Sequence, residues 1–281
     1  MLRTSGFLRT LGPGDRGEVL DVLGRDPVAN VFVVSRILAS GSGMRALGGE
    51  LWGHVADDRL QAVCYAGANL VPSGASPEAV GLFADRARRQ GRRCSSIVGP
   101  AEVVGPLWDR LEPTWGAARD VRPSQPLMAT SRPSSVPPDP RVRRVRTDEV
   151  DVLMPACIAM FTEEVGVSPL QAGGEGLYRA RVAELVGSGR AFARIEDGRV
   201  VFKAEIGAAT PDACQVQGVW VTPEMRGRGI AGAGMAAVVA YALADVAPVV
   251  SLYVNDYNHP ARASYRRSGF TEVGTFMSVL F

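Results

Sequence analysis

Gln217-Gly-Val-Trp-Val-Thr-Pro-Glu-Met-Arg-Gly-Arg-Gly-Ile-Ala231, followed by a run of small and apolar residues to Asp245, is the stretch around which the chain is organised. An apolar strand over Val219 to Val221 breaks at Thr222-Pro223, passes a loop holding Gly227 and Gly229, and opens into a helix. Such a junction is an anion site. Glycine lacks a Cβ, so the backbone turns tightly and comes close to a ligand. The first-turn N–H groups of the helix have no intrahelical acceptor and, with the helix dipole, favour a phosphate. Arg226 and Arg228 add charge-assisted donors for the same anion.

Two nucleotide readings of the loop fail. Gly227-x-Gly229 is followed by Gly232, but no acidic residue closes a strand about twenty residues later, as a dinucleotide fingerprint requires. The ATP-type loop needs Gly-Lys followed by Ser or Thr, and the only lysine of the chain is Lys203. The pattern that fits is Arg/Gln-x-x-Gly-x-Gly/Ala, present as Arg226-Gly-Arg-Gly229-Ile-Ala231 after a strand. On these residues the chain resembles the GNAT superfamily of acyl-CoA-dependent N-acetyltransferases.

A second motif lies downstream. The β-branched and aromatic run Val249-Val-Ser-Leu-Tyr-Val-Asn255 predicts a strand. It precedes Asn258-His-Pro-Ala-Arg-Ala-Ser-Tyr265-Arg-Arg-Ser-Gly269-Phe270, which is similar to the family's N-x-x-A-x-x-x-Y-x-x-x-G-F segment. The helix punctuation stands without the resemblance: Asn258 is a good N-cap, Pro260 suits the first turn, and Gly269 suits a left-handed C-terminal position. The resemblance spans residues 141–281.

Composition sets outer bounds. A chain of 281 residues has room for two domains, and 46% hydrophobic residues, 21% charged residues and a net charge of +2 describe an ordinary globular protein without global attraction to nucleic acid or membrane. The arginine excess over the single lysine reads as codon composition. Cys64, Cys94, Cys157 and Cys214 are far apart without C-x-x-C spacing, and only His54 and His259 accompany them, so neither a metal site nor a disulfide framework is expected. Arg3 and Arg9 stand near apolar residues, but residues 1–12 build no signal peptide, and no run approaches a membrane span. The expected location is cytoplasmic.

Residues 1–121 read as an α/β unit. Helices are expected over Asp15–Leu23 and Pro27–Ala39, a hairpin over Glu50–Ala56 and Leu60–Tyr65, and a strand over Asn69–Pro72. A helix capped by Ser76 then runs to Gln90, followed by a strand over Cys94–Val98 and a helix over Ala101–Leu111. That order parallels the C-terminal half, so the N-terminal half is read as a diverged GNAT-like domain. It has no phosphate loop: only Pro72-Ser-Gly-Ala75 separates strand from helix, and no tyrosine matches Tyr265. The basic patch Arg86, Arg88, Arg89, Arg92 and Arg93 reads as a solvated helix face and turn.

Residues 122–140 are rich in proline and arginine and are expected to be the linker, although Gln125–Ala129 could form an edge strand closing the first domain. In the second domain, Arg141–Arg146 suits a first strand, with helices over Val150–Phe161 and Gly174–Val186. A hairpin over Ala191–Ile195 and Val200–Ile206 follows, then a strand over Cys214–Val221 that feeds the loop. The fold class is therefore α/β (α+β): two GNAT-like domains, each a mixed, mostly antiparallel twisted sheet flanked by helices.

The resemblance implies an N-acetyltransferase using acetyl-CoA as cosubstrate. In that family the strand before the loop splays from its parallel neighbour and pairs with the pantetheine arm. Val219, Trp220 and Val221 would line that arm, while Arg226, Gly227, Arg228, Gly229, Ile230, Ala231 and Gly232 would hold the pyrophosphate. Asn255 and Asn258 would also contact the cofactor. An amine would attack the acetyl carbonyl, and Tyr265, neutral at pH 7, would protonate the departing thiolate. Alternation puts Lys203 and Glu205 on one face of their strand and Gln215 and Gln217 on one face of the next. Where some family members carry a glutamate stands Gln215, which cannot be a base. Glu205 is the local candidate, with Glu163 or Glu164, or a water relay, as alternatives. The acceptor is a small-molecule or protein amine; its identity and the oligomeric state stay open. The second reading is a non-catalytic acyl-CoA-binding or interaction module. Nucleic-acid binding through the connector is not favoured, because no aromatic residues interleave its arginines.

Overall fold

The computed structural model describes residues 6–41, 43 and 47–281; Arg3 lies outside them. The first half of the chain forms strand β1 (Phe7–Leu11), helices α1 (Arg16–Leu23) and α2 (Val31–Ala39), strands β2 (Gly49–Ala56), β3 (Arg59–Gly67) and β4 (Asn69–Ser73), helix α3 (Pro77–Gln90), strand β5 (Ser96–Pro100), helix α4 (Ala101–Trp115) and strand β6 (Asp120–Thr130). The second half forms β7 (Arg143–Arg144), α5 (Val150–Val165), α6 (Glu175–Gly187), β8 (Ala191–Glu196), β9 (Arg199–Ala209), β10 (Cys214–Val221), α7 (Ile230–Asp245), β11 (Val250–Tyr253), α8 (His259–Arg267) and β12 (Thr271–Leu280).

Local chemistry explains most boundaries. Asp57 and Asp58 take φ values of 49° and 57° at the β2–β3 turn, and Asp197 with Gly198 takes 49° and 71° at the β8–β9 turn. Left-handed residues at both central positions match the twist of a hairpin, and Asp tolerates them. Ser76 accepts from the Ala79 N–H at 3.3 Å to cap α3, with Pro77 in its first turn. α2 begins at Val31 rather than at the expected Pro27. Asp26 accepts from the Ala29 N–H, and Asn30 Nδ2 donates to the Leu23 carbonyl, so side chains hold a turn there instead.

The described chain divides into two units. Unit one comprises Met1–Leu127, Tyr253–Asp256 and Glu272–Phe281; unit two comprises Met128–Leu252 and Tyr257–Thr271. In unit one the strand order is β1-β2-β3-β4-β5-β12-β6, and β4 and β5 are parallel. Ala62 and Cys64 of β3 join a core with Phe83, Leu107 and Trp108, whereas Val63 and Tyr65 join one with Val19, Leu23 and Ile37. The alternation of β3 thus places helices on both faces of its sheet. In unit two the order is β11-β10-β9-β8-β7. Leu153 and Cys157 of α5 and Val182 and Leu185 of α6 pack on Ala191, Ala193 and Val200, while α7 lays Gly234 against the Phe202 ring.

The division differs from the expected one in two respects. Part of the expected linker, residues 122–130, lies within β6. It is an interior strand rather than an edge: Val254 and Asp256 donate N–H bonds to Pro126 and Ser124 on one side, and β12 stands on the other. Its polar side chains are satisfied internally, since Arg122 pairs with Asp120 at 2.8 Å and Gln125 bonds both Asn255 and Ser278. β12 is the second difference. It has no counterpart among the expected elements, and Glu272–Phe281 belongs with unit one, where Met277 and Val279 enter the core beside Phe83 and Trp108.

At the start of α5, Glu149 accepts two bonds of 2.7 Å from Arg143 and one of 2.9 Å from the Arg146 N–H. The hydrogen bonds from Arg143 lead, and with the Arg146 N–H they outweigh burial and hold the Glu149 carboxyl at about 2 against an ordinary 4.5. A depressed folded pKa gives stability that is complete above the unfolded value and disappears as pH falls through the folded one. Glu149→Gln should therefore cost about 2 kcal/mol at neutral pH. Urea unfolding should show that deficit shrinking as pH falls from 4.5 towards 2.

Candidate functional site

β10 has a full partner on one side only. Against β11 it pairs in parallel at Cys214↔Val250 and Gln215↔Ser251, and the pairing stops there although β10 runs on to Val221. Against β9 the antiparallel ladder reaches Val221↔Phe202, but steps from Gln217↔Glu205 to Trp220↔Lys203. β10 therefore carries an extra residue. Gly218, at φ 60°, supplies the bulge. Thr222 donates its N–H to the Val201 carbonyl at 3.0 Å. By alternation Trp220 also faces β9, and the N–H and C=O groups of Val219 and Val221 face the open side. Half-buried backbone groups without a ladder partner need water or an extended ligand.

The open strand runs into the loop. Gly227 and Gly229 have φ values of 76° and 75°, which L side chains adopt only under strain. Gly229 caps α7 with no side chain, and the first helical bond is from the Ala233 N–H to the Gly229 carbonyl, so the N–H groups of Ile230, Ala231 and Gly232 are left for another acceptor. The Arg226 guanidinium bonds the Val221 carbonyl at 2.9 Å and Glu163 at 2.7 Å; Arg228 is exposed. Glu163 also accepts from Trp220 Nε1 at 3.2 Å. The sequence did not disclose this bridge between the end of α5 and the loop, because nothing local relates residues so far apart.

A polar cluster sits on the bulge. Lys203, only 1% exposed, donates to Glu205 at 3.3 Å and to the Gly218 carbonyl at 3.0 Å. Gln217 donates to the other oxygen of Glu205 at 2.9 Å. Both oxygens of the expected base are thus already engaged, and Gln215 is buried. Nearby, burial pushes the Cys157 thiol up, with Lys203 partly offsetting the shift. All four thiols are free, buried and raised by desolvation, so none is poised as a nucleophile.

The second motif supplies α8. Asn258 caps it, accepting from the Ala261 N–H at 3.3 Å, a structural use of a residue expected to touch cofactor. Ser268 donates to the Gly232 carbonyl at 3.4 Å, and a Cβ on Gly232 would lie 3.6 Å from Ser264 Oγ, so α8 packs on the first turn of α7. On the same helix Tyr265 is buried, its ring 6.1 Å from that of Phe270. Burial first, and the negative charge of Glu164 second, raise its phenol, which stays protonated. Nothing among the described residues hydrogen-bonds its hydroxyl. Asn255 belongs to unit one, where its Oδ1 accepts from Gln125 at 2.8 Å.

Residues 164–270 match the acetyltransferase (GNAT) family, whose chemistry is acyl transfer. Residues 49–153 match a domain of unknown function (DUF4081), and no curated protein matches at a significant level. A GCN5-related N-acetyltransferase from Sphaerobacter thermophilus aligns with a TM-score of 0.59 at 18% identity, covering 100% of this chain and 97% of its own. A Drosophila protein aligns at 0.67 with 14% identity and 98% coverage of each chain. A tandem GNAT protein of clavulanic acid biosynthesis aligns at 0.54 with 17% identity and 98% of each. At these identities the likeness concerns fold, and it extends over both halves. Among the described residues no helix is long and apolar enough to cross a membrane, and no cluster of metal-ligating side chains occurs.

The bulge leaves little room for a side chain at Gly218. A Cβ at Gly218 would meet Lys203 Nζ at 2.9 Å, Glu205 Cδ at 3.1 Å and Met160 Cε at 3.2 Å, on a backbone of φ 60°. Gly218→Ala should destabilise the protein by about 2 kcal/mol, measured by chemical denaturation.

Proposed function

We propose that the protein is an acetyl-CoA-dependent N-acetyltransferase that passes an acetyl group to a primary amine by direct attack on the thioester. One observation carries this reading: β10 parts from β11 after Gln215, and the open strand leads into a glycine cradle at the start of α7. The fit is good at both ends. An extended arm with amide groups complements the open N–H and C=O of Val219 and the open N–H of Val221, beside Trp220, while Arg226 keeps the Val221 carbonyl. A diphosphate complements the N–H groups of Ile230, Ala231 and Gly232, and the positive φ of Gly227 and Gly229 keeps side chains out of its way. Arg226 and Arg228 neutralise its charge, Arg226 exchanging Glu163 for phosphate.

Bound acetyl-CoA supplies an activated acetyl group. The rest falls to side chains of this chain. Tyr265 holds a proton in a desolvated site and delivers it to sulfur as negative charge develops there. Glu205 faces the bulge with Lys203 and Gln217, and takes the amine's proton on the oxygen that Gln217 now occupies. The acceptor is a small-molecule or protein-borne primary amine. Asn255 and Asn258 are not needed in this scheme, since Gln125 and the α8 cap already use them.

Calorimetric titration with acetyl-CoA, paired with an acetyl-transfer assay over a panel of amines, tests the reading. Wild type should bind saturably, and Gly229→Trp, which fills the cradle, should not. Tyr265→Phe should keep its affinity and lose about a hundredfold in turnover. Absence of binding by wild type overturns the proposal, and binding without transfer to any amine leaves the protein a non-catalytic acyl-CoA-binding module.

A further inference from the structure

Unit one contains a site unrelated to the splayed strands. A cavity of about 240 Å³ opens where β2 begins, β3 ends and α3 gives way to β5. Glu50, Trp52, Leu70, Gln90, Arg93 and Trp115 are among its walls. The turn from Ser73 to Ser76, which occupies the place of a phosphate loop in this unit, contributes nothing to it.

The polar groups of the cavity are arranged asymmetrically. Every bond to the Glu50 carboxylate falls on one oxygen: Oε2 accepts from Trp52 Nε1 at 2.8 Å, Arg86 at 3.0 Å and Gln90 at 3.5 Å. Among the described residues nothing bonds Oε1, although the carboxylate is held rigidly, with Arg86 stacked 4.9 Å over the Trp52 ring. The Trp52 hydrogen bond leads in keeping Glu50 below its ordinary pKa, so the open oxygen carries charge at neutral pH. Arg93, of opposite sign, is exposed and has no ion-pair partner among the described residues. The lining also includes Leu70 and two indoles, Trp52 and Trp115. Trp115 is fixed edge-on by Phe281 at 5.8 Å, and its own N–H is buried without an acceptor.

A carboxylate with a free acceptor, a free guanidinium and an aromatic wall complement a molecule bearing both charges and an apolar body. Size narrows the class. An engineered cavity of about 150 Å³ takes benzene, so the present volume suits roughly ten to twelve non-hydrogen atoms and excludes a nucleotide. We propose that this cavity binds a free α-amino acid with an aromatic or large apolar side chain, its ammonium on Glu50 Oε1 and its carboxylate on Arg93. The site is independent of acyl transfer in the other unit and gives the N-terminal half a ligand of its own.

The test uses the full chain and L-phenylalanine, titrated by calorimetry and by tryptophan fluorescence. Saturable binding to one site is expected. Arg93→Gln, a surface change that leaves the core intact, should weaken it about tenfold, and Glu50→Gln at least as much. 2-Phenylethylamine, without the carboxylate, and 3-phenylpropanoate, without the ammonium, should each bind about tenfold more weakly than the amino acid. The proposal is overturned by no saturable binding of L-phenylalanine or L-leucine at millimolar concentration, by unchanged affinity in Arg93→Gln, or by equal affinity for either singly charged analogue.

Discussion

The C-terminal unit turns on a strand that its own sheet cannot satisfy. β10 has one good neighbour in β9 and loses the other after Gln215, and the bulge at Gly218 re-aims the residues from Val219 to the loop. The N–H and C=O of Val219 and the N–H of Val221 are thereby left facing open space while both residues stay half-buried. Backbone polar groups in that position are costly unless something pairs with them. The surrounding structure is consistent with keeping the gap rather than closing it. Lys203 reaches across to the Gly218 carbonyl and stabilises the bulge, and Arg226 bonds the Val221 carbonyl at the mouth of the loop.

Much of this was legible because its signals are local. Pro223 ends a strand, Gly227 and Gly229 take left-handed backbone, Asn258 caps a helix, and each acts within a few residues of its own position. The strand Cys214–Val221 and the helix ending at Asp245 are legible to the residue for that reason. A glycine inside an otherwise apolar strand also signals a bulge, so Gly218 could have been recognised from the sequence. The Glu163 bridge could not, since its bonds to Trp220 and Arg226 depend on where α5 ends relative to β10. Alternation alone places Lys203 and Glu205 on one face, but the involvement of Gln217 and the Gly218 carbonyl depends on the bulge.

The chain's division was the harder reading. β6 looks like a connector because Pro123, Ser124, Gln125 and Pro126 offer little to a core. What composition conceals is that Gln125 is buried and satisfied by Asn255 and Ser278, residues far away in sequence. β12 shows the reverse problem. Met277 and Val279 are plainly apolar, yet only the tertiary pairing with β5 reveals that they complete the core around Phe83 rather than that of the domain that precedes them. Polar satisfaction and strand pairing at long range, unlike caps and turns, leave no local trace.

An acyl-CoA thioester arm lying along the unpaired edge of β10 would cover particular amides and spare others. Hydrogen–deuterium exchange of the full chain with and without acetyl-CoA, read at single-amide resolution, distinguishes them. Protection is expected at Val219 and Val221 and at Ile230, Ala231 and Gly232, with Trp220, whose N–H already faces β9, little changed. Acetyl-CoA binding that leaves Val219 and Val221 exchanging as before would place the arm elsewhere and refute its pairing with β10.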